Sequence, residues 1–141
     1  MKVKIRRLGD VPLPCRQTPG SSGFDLCATE DMTVAAHGFA TVGTGIAIEL
    51  RDRTEAQVRP RSGLAAKHGI GILNSPGTID ADYRGEIKVV LFNTSDRDYQ
   101  VRRGDRIAQL VFSTVTEVEL VEANELSETG RGTGGFGHTG A

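Results

Sequence analysis

Apolar residues recur along the chain in short runs separated by turn residues. Residues 3–7 alternate, and residues 39–43 and 45–50 read as a strand pair around a tight glycine turn. Residues 56–59, 69–73, 86–93 and 106–112 continue the series; within it, Ile87-Lys88-Val89-Val90-Leu91-Phe92 has the apolar run of a buried strand. A last strand is predicted over 114–121, where Val115, Glu117 and Glu119 alternate with Thr116, Val118 and Leu120. Only residues 62–68, Ser-Gly-Leu-Ala-Ala-Lys-His, read as helix, one or two turns long, with Gly69 as the stop. The 18 glycines, with frequent Asp, Asn and Ser, supply the turns. Many short strands spaced by turn signals predict an all-β sandwich, barrel or jelly roll, with no internal repeat.

Composition narrows the picture. A chain of 141 residues suits one domain. With 38% hydrophobic residues and no Trp, its core must rest on Val, Ile, Leu and Ala, and burial between subunits would add to a small core. The net charge of −1 argues against a nucleic-acid surface, which needs an excess of cations along one face. Small anions remain open, since a few local arginines suffice for them. No stretch approaches the roughly 20 apolar residues of a membrane span. The basic start, Met1-Lys2-Val3-Lys4-Ile5-Arg6-Arg7, is followed by no apolar core and does not read as a secretory signal. Cys15 and Cys27 lack C-x-x-C spacing and read as reduced thiols of a cytoplasmic protein.

Residues 130–141, Gly-Arg-Gly-Thr-Gly-Gly-Phe-Gly-His-Thr-Gly-Ala, differ from the rest. With almost no apolar content they cannot order by burial, so 1–129 is read as the domain and 130–141 as a flexible tail. Alternatively, glycine-freed N–H groups, hydroxyls and a guanidinium would wrap a polyphosphate, and the phenylalanine would stack on a base. The tail is not a Walker A loop, since Lys is missing.

The densest chemistry lies in Gly77-Thr78-Ile79-Asp80-Ala81-Asp82-Tyr83-Arg84-Gly85-Glu86, where three carboxylates, an Arg and an aromatic ring share ten residues. Like charges placed so close raise one another's cost of ionisation, which marks the segment as a place to hold a base or a cation. Within Pro60-Arg61-Ser62-Gly63, Ser62 either caps the short helix or joins Arg61 in binding a phosphate. Asp25 interrupts an apolar strand, where an arginine or turn amides would satisfy it, and Gln109 sits between apolar neighbours, either solvated or offering its amide to a phosphate or sugar. His37, His68 and His138 have no ligand spacing, and the H-x-E and P-C-x-x-C elements of zinc deaminases are absent. No Ser-His-Asp arrangement emerges from residue order. The pattern fits metal-assisted attack on a phosphoanhydride without naming the substrate.

Five segments fall into a familiar order: Gly23-Phe24-Asp25-Leu26, residues 60–65, residues 77–86, residues 104–111 and residues 131–140. In these the chain resembles the trimeric all-β deoxyuridine triphosphatases (dUTPases). The resemblance implies a distorted jelly-roll (β-clip) subunit, in a homotrimer whose active sites borrow groups from all three chains. It implies hydrolysis of dUTP to dUMP and diphosphate, lowering dUTP and supplying dUMP for thymidylate synthesis, with Mg²⁺ held mainly by the triphosphate. Carried over by motif, Asp80 would be the general base for a water attacking the α-phosphorus, and Tyr83 would lie beneath the deoxyribose and exclude a 2′-hydroxyl. The hairpin around Leu73, Asn74 and Gly77 would read uracil. Arg61, Ser62, Gly63 and Gln109 would bind phosphates, and Asp25 would hold the metal's water shell. From the tail, Arg131 would pair with the γ-phosphate and Phe136 would cover the base, while Thr133, Gly134, Gly135, His138 and Thr139 would add phosphate contacts. Asp82, Arg84 and Glu86 are assigned structural roles, with Arg84 and Glu86 paired beside Asp82. Two other functions stay in view: dCTP deaminase, which shares the fold but typically keeps an extra serine after Arg-Ser and lacks this tail, and a dUTP-binding regulatory protein.

Overall fold

The structure, a computed structural model, is described for residues 1–135. Its strands are β1 (Lys4–Arg7), β2 (Phe24–Cys27), β3 (Met32–Val34), β4 (Phe39–Gly43), β5 (Ile46–Glu49), β6 (Thr54–Arg59), β7 (Ile70–Ile72), β8 (Gly77–Ile79), β9 (Lys88–Asn93), β10 (Tyr99–Val101) and β11 (Arg106–Thr114); helix α1 (Ser62–His68) lies between β6 and β7. The all-β expectation holds. Every strand pairing is antiparallel, in a four-stranded sheet of order β2-β11-β6-β8, a three-stranded sheet β4-β9-β7, and the pairs β1-β5 and β10-β3. The inward residues of the two larger sheets, among them Leu26, Val58 and Leu110 from one and Val42, Val89 and Leu91 from the other, meet in one contiguous core. It is built of Val, Ile, Leu and Ala, and among the described residues no aromatic ring is fully buried in it. Two polar residues are buried with it among the described residues, Thr44 and Asn93. Asn93 Nδ2 donates to the Val34 and Arg97 carbonyls (3.1 and 2.7 Å) and its Oδ1 accepts from Ser95 N and Oγ (2.9 and 2.8 Å). A buried amide so fully paired does not carry the cost of an unsatisfied polar group.

Helix α1 has the boundaries that the sequence predicts, and Gly69 ends it with φ 66°, its N–H returning to the Leu64 and Ala65 carbonyls. Two other expectations need correction. Residues 39–43 and 45–50 do form strands, but not with each other: β4 pairs with β9 and β5 with β1. Thr44 Oγ1 donates to the Ile87 carbonyl (2.6 Å), Gly45 N donates to Glu86 Oε1 (2.8 Å), and Gly45 takes φ 64°, so the chain turns a corner between sheets there. The predicted strand over 114–121 also does not form. β11 runs to Thr114, Val115 N donates to the Arg53 carbonyl (2.9 Å), Arg53 pairs with Glu117, and among the described residues no strand lies alongside those that follow. The alternation of 115–121 is real, but alternation makes a strand only where a ladder partner exists. β3, β8 and β10, three residues each, are too short to show a period in the sequence.

Candidate functional site

Two clusters of chemically capable residues emerge. The first lies on the outer face of the four-stranded sheet. Asp25 on β2 stands opposite Gln109 on β11, and Cys27 stands opposite Arg106. Arg106 and Gln109 are three residues apart, which in a regular strand would send them to opposite faces. A β-bulge between Arg106 and Ala108 inserts one extra residue, so that Ile107 and Ala108 are both buried and Arg106 and Gln109 share the outer face with Asp25. β6 pairs with β11 through Arg59↔Gln109, and the chain then passes directly into Arg61 and α1. The outcome is a polar cleft of about 210 Å³ lined by Asp25, Arg61, Ser62, Gly63, Arg106 and Gln109 together with Gln17.

The cleft is cationic overall. Asp25, its side chain only 13% exposed, accepts from Arg106 Nη1 at 3.0 Å and lies 3.6 Å from Arg61 Nε. Arg61 Nη1 donates to the Arg106 carbonyl (2.7 Å). Two guanidiniums thus face one carboxylate, a surplus suited to an anion. Gln109 does not point its amide outward: Nε2 donates to the Pro60 carbonyl (3.0 Å), bracing the turn that presents Arg61. Ser62 does not cap the helix either. The cap position belongs to Arg61, which makes no side-chain capping bond, and Ser62 opens the first turn with an exposed hydroxyl. Burial, reinforced by the Asp25 charge, pushes the Cys27 thiol up from its ordinary value, which disfavours the thiolate a nucleophile needs. Both cysteines are free. The sequence reading missed Arg106 and Gln17. The signal for Arg106 was the broken alternation of Arg106-Ile107-Ala108-Gln109, which is what a bulge looks like in sequence.

The second cluster follows β8. Asp80 is exposed, and its carbonyl accepts from Tyr83 N (3.2 Å). Tyr83 is 44% exposed and its hydroxyl donates to the Glu86 carbonyl (2.9 Å). The expected Arg84–Glu86 pair is absent. Arg84 Nη1 instead donates to the carbonyls of Ala81 and Tyr83 (2.6 and 2.9 Å), while Glu86 accepts from Gly45 N and lies 4.0 Å from Lys88 Nζ. Backbone carbonyls in a tight loop win over a carboxylate that is already bonded elsewhere. The turn before β8 also differs from expectation: β7 and β8 lie in separate sheets, so Leu73, Asn74 and Gly77 sit on a corner between sheets and not on a ladder-paired hairpin. Gly77 is buried, and a Cβ there would stand 3.3 Å from Asn74 Nδ2 and 3.4 Å from Val58 Cβ.

These clusters lie apart. In the β6–β8 ladder Ile79 faces Ala56 and Gly77 faces Val58, so Asp80 sits level with Glu55 while Arg61 lies beyond the other end of β6. Six residues of extended chain from 55 to 61 span about 20 Å. One chain therefore does not bring Asp80 within reach of a phosphate held at Arg61. In the tail, Arg131 Nε donates to the Gly134 carbonyl (2.7 Å) and Gly134 N donates to the Arg131 carbonyl (3.1 Å); among the described residues neither Arg131 nor Gly135 bonds to either cluster. Phe136, His138 and Thr139 lie outside the described residues.

Known proteins give this geometry its context. A model of the dUTPase family matches residues 9–140. The deoxyuridine 5′-triphosphate nucleotidohydrolase of Anaplasma marginale is 54% identical over 145 residues, covering 99% of each chain, and that of Wolinella succinogenes is 51% identical over 142 residues, covering 99% of this chain and 95% of its own. Among solved structures, the dUTPase of Staphylococcus bacteriophage 80alpha with dUpNHpp superimposes with a TM-score of 0.92 at 24% identity, each chain covered to 99%. A mutant dUTPase from phage phi11 of S. aureus, described with a structural Mg(II) ion, gives 0.82 at 22% identity, with 89% of this chain covered and 98% of its own. The structural likenesses establish the fold; with the relatives and the family match over nearly the whole length, they place this chain in the dUTPase family.

Proposed function

We propose that the chain hydrolyses dUTP to dUMP and diphosphate, with Asp80 as general base and the Asp25–Arg61–Arg106 cleft as the phosphate grip. The observation that carries the reading is the pairing of a cationic, bulge-built cleft with an exposed carboxylate beside an aromatic ring, in a family of dUTP nucleotidohydrolases. Asp80 would take the proton of a water attacking the α-phosphorus, while Arg61, Arg106 and Ser62 offset charge on the triphosphate. Gly63 lies open beside them, with nothing near enough to meet an added Cβ. The corner at Asn74 and Gly77 would receive uracil. Tyr83 would face the sugar, where an aromatic surface gives an added hydroxyl no partner and leaves it desolvated. Arg131, Gly135 and Phe136 would close over the nucleotide from the tail.

Among the described residues no three acidic, His or Cys side chains gather to cage a metal. What fits is Mg²⁺ carried by the triphosphate with waters retained, and Asp25, facing the cleft, as an acceptor for one of those waters. Bound there, Mg²⁺ would neutralise charge on the phosphates. Diphosphate release measured with dUTP, dTTP, dCTP and UTP should favour dUTP at least about a hundredfold, with a loss of at least about tenfold on chelating Mg²⁺. Ammonia release from dCTP would support deamination instead, and saturable dUTP binding without diphosphate release would support a regulatory role.

The separation of about 20 Å along β6 supports a homotrimer in which the Asp80 loop of one chain meets the phosphate cleft of another. Mixing inactive Asp80→Asn chains with inactive Arg61→Ala chains should then restore activity. Random one-to-one trimers would carry both intact halves at about one quarter of sites, each half being intact with a chance of about one in two. No recovery on mixing would place each site within one chain.

A further inference from the structure

We propose that Gly85 is a positioning residue for sugar discrimination: its missing side chain is the space into which the Tyr83 phenol folds. The inference rests on the reading of Tyr83 as the group that faces the sugar.

Glycine is usually kept for one of two reasons, a left-handed backbone or a close approach. The described glycines with left-handed φ are Gly45, Gly69, Gly104 and Gly132. Gly85 is not one of them, so any residue could adopt its backbone conformation. What forbids a side chain is the ring. A Cβ on residue 85 would lie 2.4 Å from Tyr83 Oη, 2.6 Å from Cζ and 3.1 Å from Cε2. The ring holds this pose through its hydroxyl, which donates to the Glu86 carbonyl (2.9 Å), on a loop whose backbone is tied by Tyr83 N to the Asp80 carbonyl (3.2 Å). The support beneath it is also fixed: Glu86 accepts from Gly45 N (2.8 Å) and Ile87 N donates to the Ile46 carbonyl (2.8 Å). Arg84, itself exposed, bonds to the carbonyls of Ala81 and Tyr83 and ties the loop together. A methyl group at 85 would have one outlet, rotation of the phenol off its seat, and the rotated ring would no longer present the same surface to the sugar. Gly85 thus sets the pose through which Tyr83 tells a 2′-hydrogen from a 2′-hydroxyl.

The test compares Tyr83→Ala, Gly85→Ala and the double variant, reading kcat/KM for dUTP and UTP together with the melting temperature. Both single variants should raise the UTP-to-dUTP ratio at least about tenfold. The double variant should match Tyr83→Ala in ratio and in melting temperature, since the group that clashes is gone. If Tyr83→Ala keeps wild-type discrimination, the sugar-facing reading of Tyr83 fails and the inference falls with it. If Tyr83→Ala relaxes discrimination but a folded Gly85→Ala does not, only the inference about Gly85 is overturned. Should Gly85→Ala fail to fold, rescue by the added Tyr83→Ala supports the clash. A double variant that is also unfolded beside a folded Tyr83→Ala overturns it.

Discussion

Asp80→Asn should leave nucleotide binding near wild type and lower turnover by about a thousandfold. The side chain of Asp80 is exposed and forms no hydrogen bond among the described residues; the loop is held through its backbone carbonyl by Tyr83 N. Asparagine has the same shape and leaves that bond intact, so neither the fold nor the Tyr83 ring has reason to move. What disappears is the basic lone pair. The loss should therefore fall on kcat, with the Kd of a non-hydrolysable dUTP analogue, measured by calorimetry, changed little. Turnover close to wild type in this variant would remove Asp80 from the role of base. A parallel rise in Kd would instead assign it to substrate binding.

Ending the chain at Thr129 should leave the melting temperature unchanged and cut kcat/KM for dUTP at least about a hundredfold. The two halves of this expectation have separate grounds. Every buried hydrophobic residue of the described chain lies at or before Leu110, and the described part of the tail, residues 130–135, carries no hydrophobic side chain that could join the core. Arg131, bonded here within its own turn, holds the one guanidinium after residue 129, and that charge would be lost to the γ-phosphate. Normal hydrolysis by the shortened chain would show that residues 130–141 do not act as a lid. A lowered melting temperature would give them a structural part.

How much of this the sequence disclosed depends on how local the cause was. Helix α1 was legible to the residue because its stop, Gly69, is the next residue along. β9 was legible because four apolar residues, Val89-Val90-Leu91-Phe92, follow one another within it. Pairing was not legible: β2 bonds to β11 and β1 to β5, partners chosen by a core that no short window contains. For the same reason β4 and β5 read as a hairpin, and residues 115–121 as a strand. At the site, the motifs identified Asp25, Arg61, Asp80 and Tyr83 as chemically loaded, but not who holds whom. The inward turn of Gln109 toward the Pro60 carbonyl, and of Arg84 toward two carbonyls, follows from backbone geometry that exists only after folding.

The two-ended layout of β6 also governs how damage would spread through a population of chains. In a shared-site trimer, a chain lacking both Asp80 and Arg61 spoils one site through its loop and another through its cleft. When such chains equal intact ones in number, about one quarter of sites remain whole, fewer than the half that simple dosage would leave. A doubly defective copy would thus behave as a dominant inhibitor of its intact sibling.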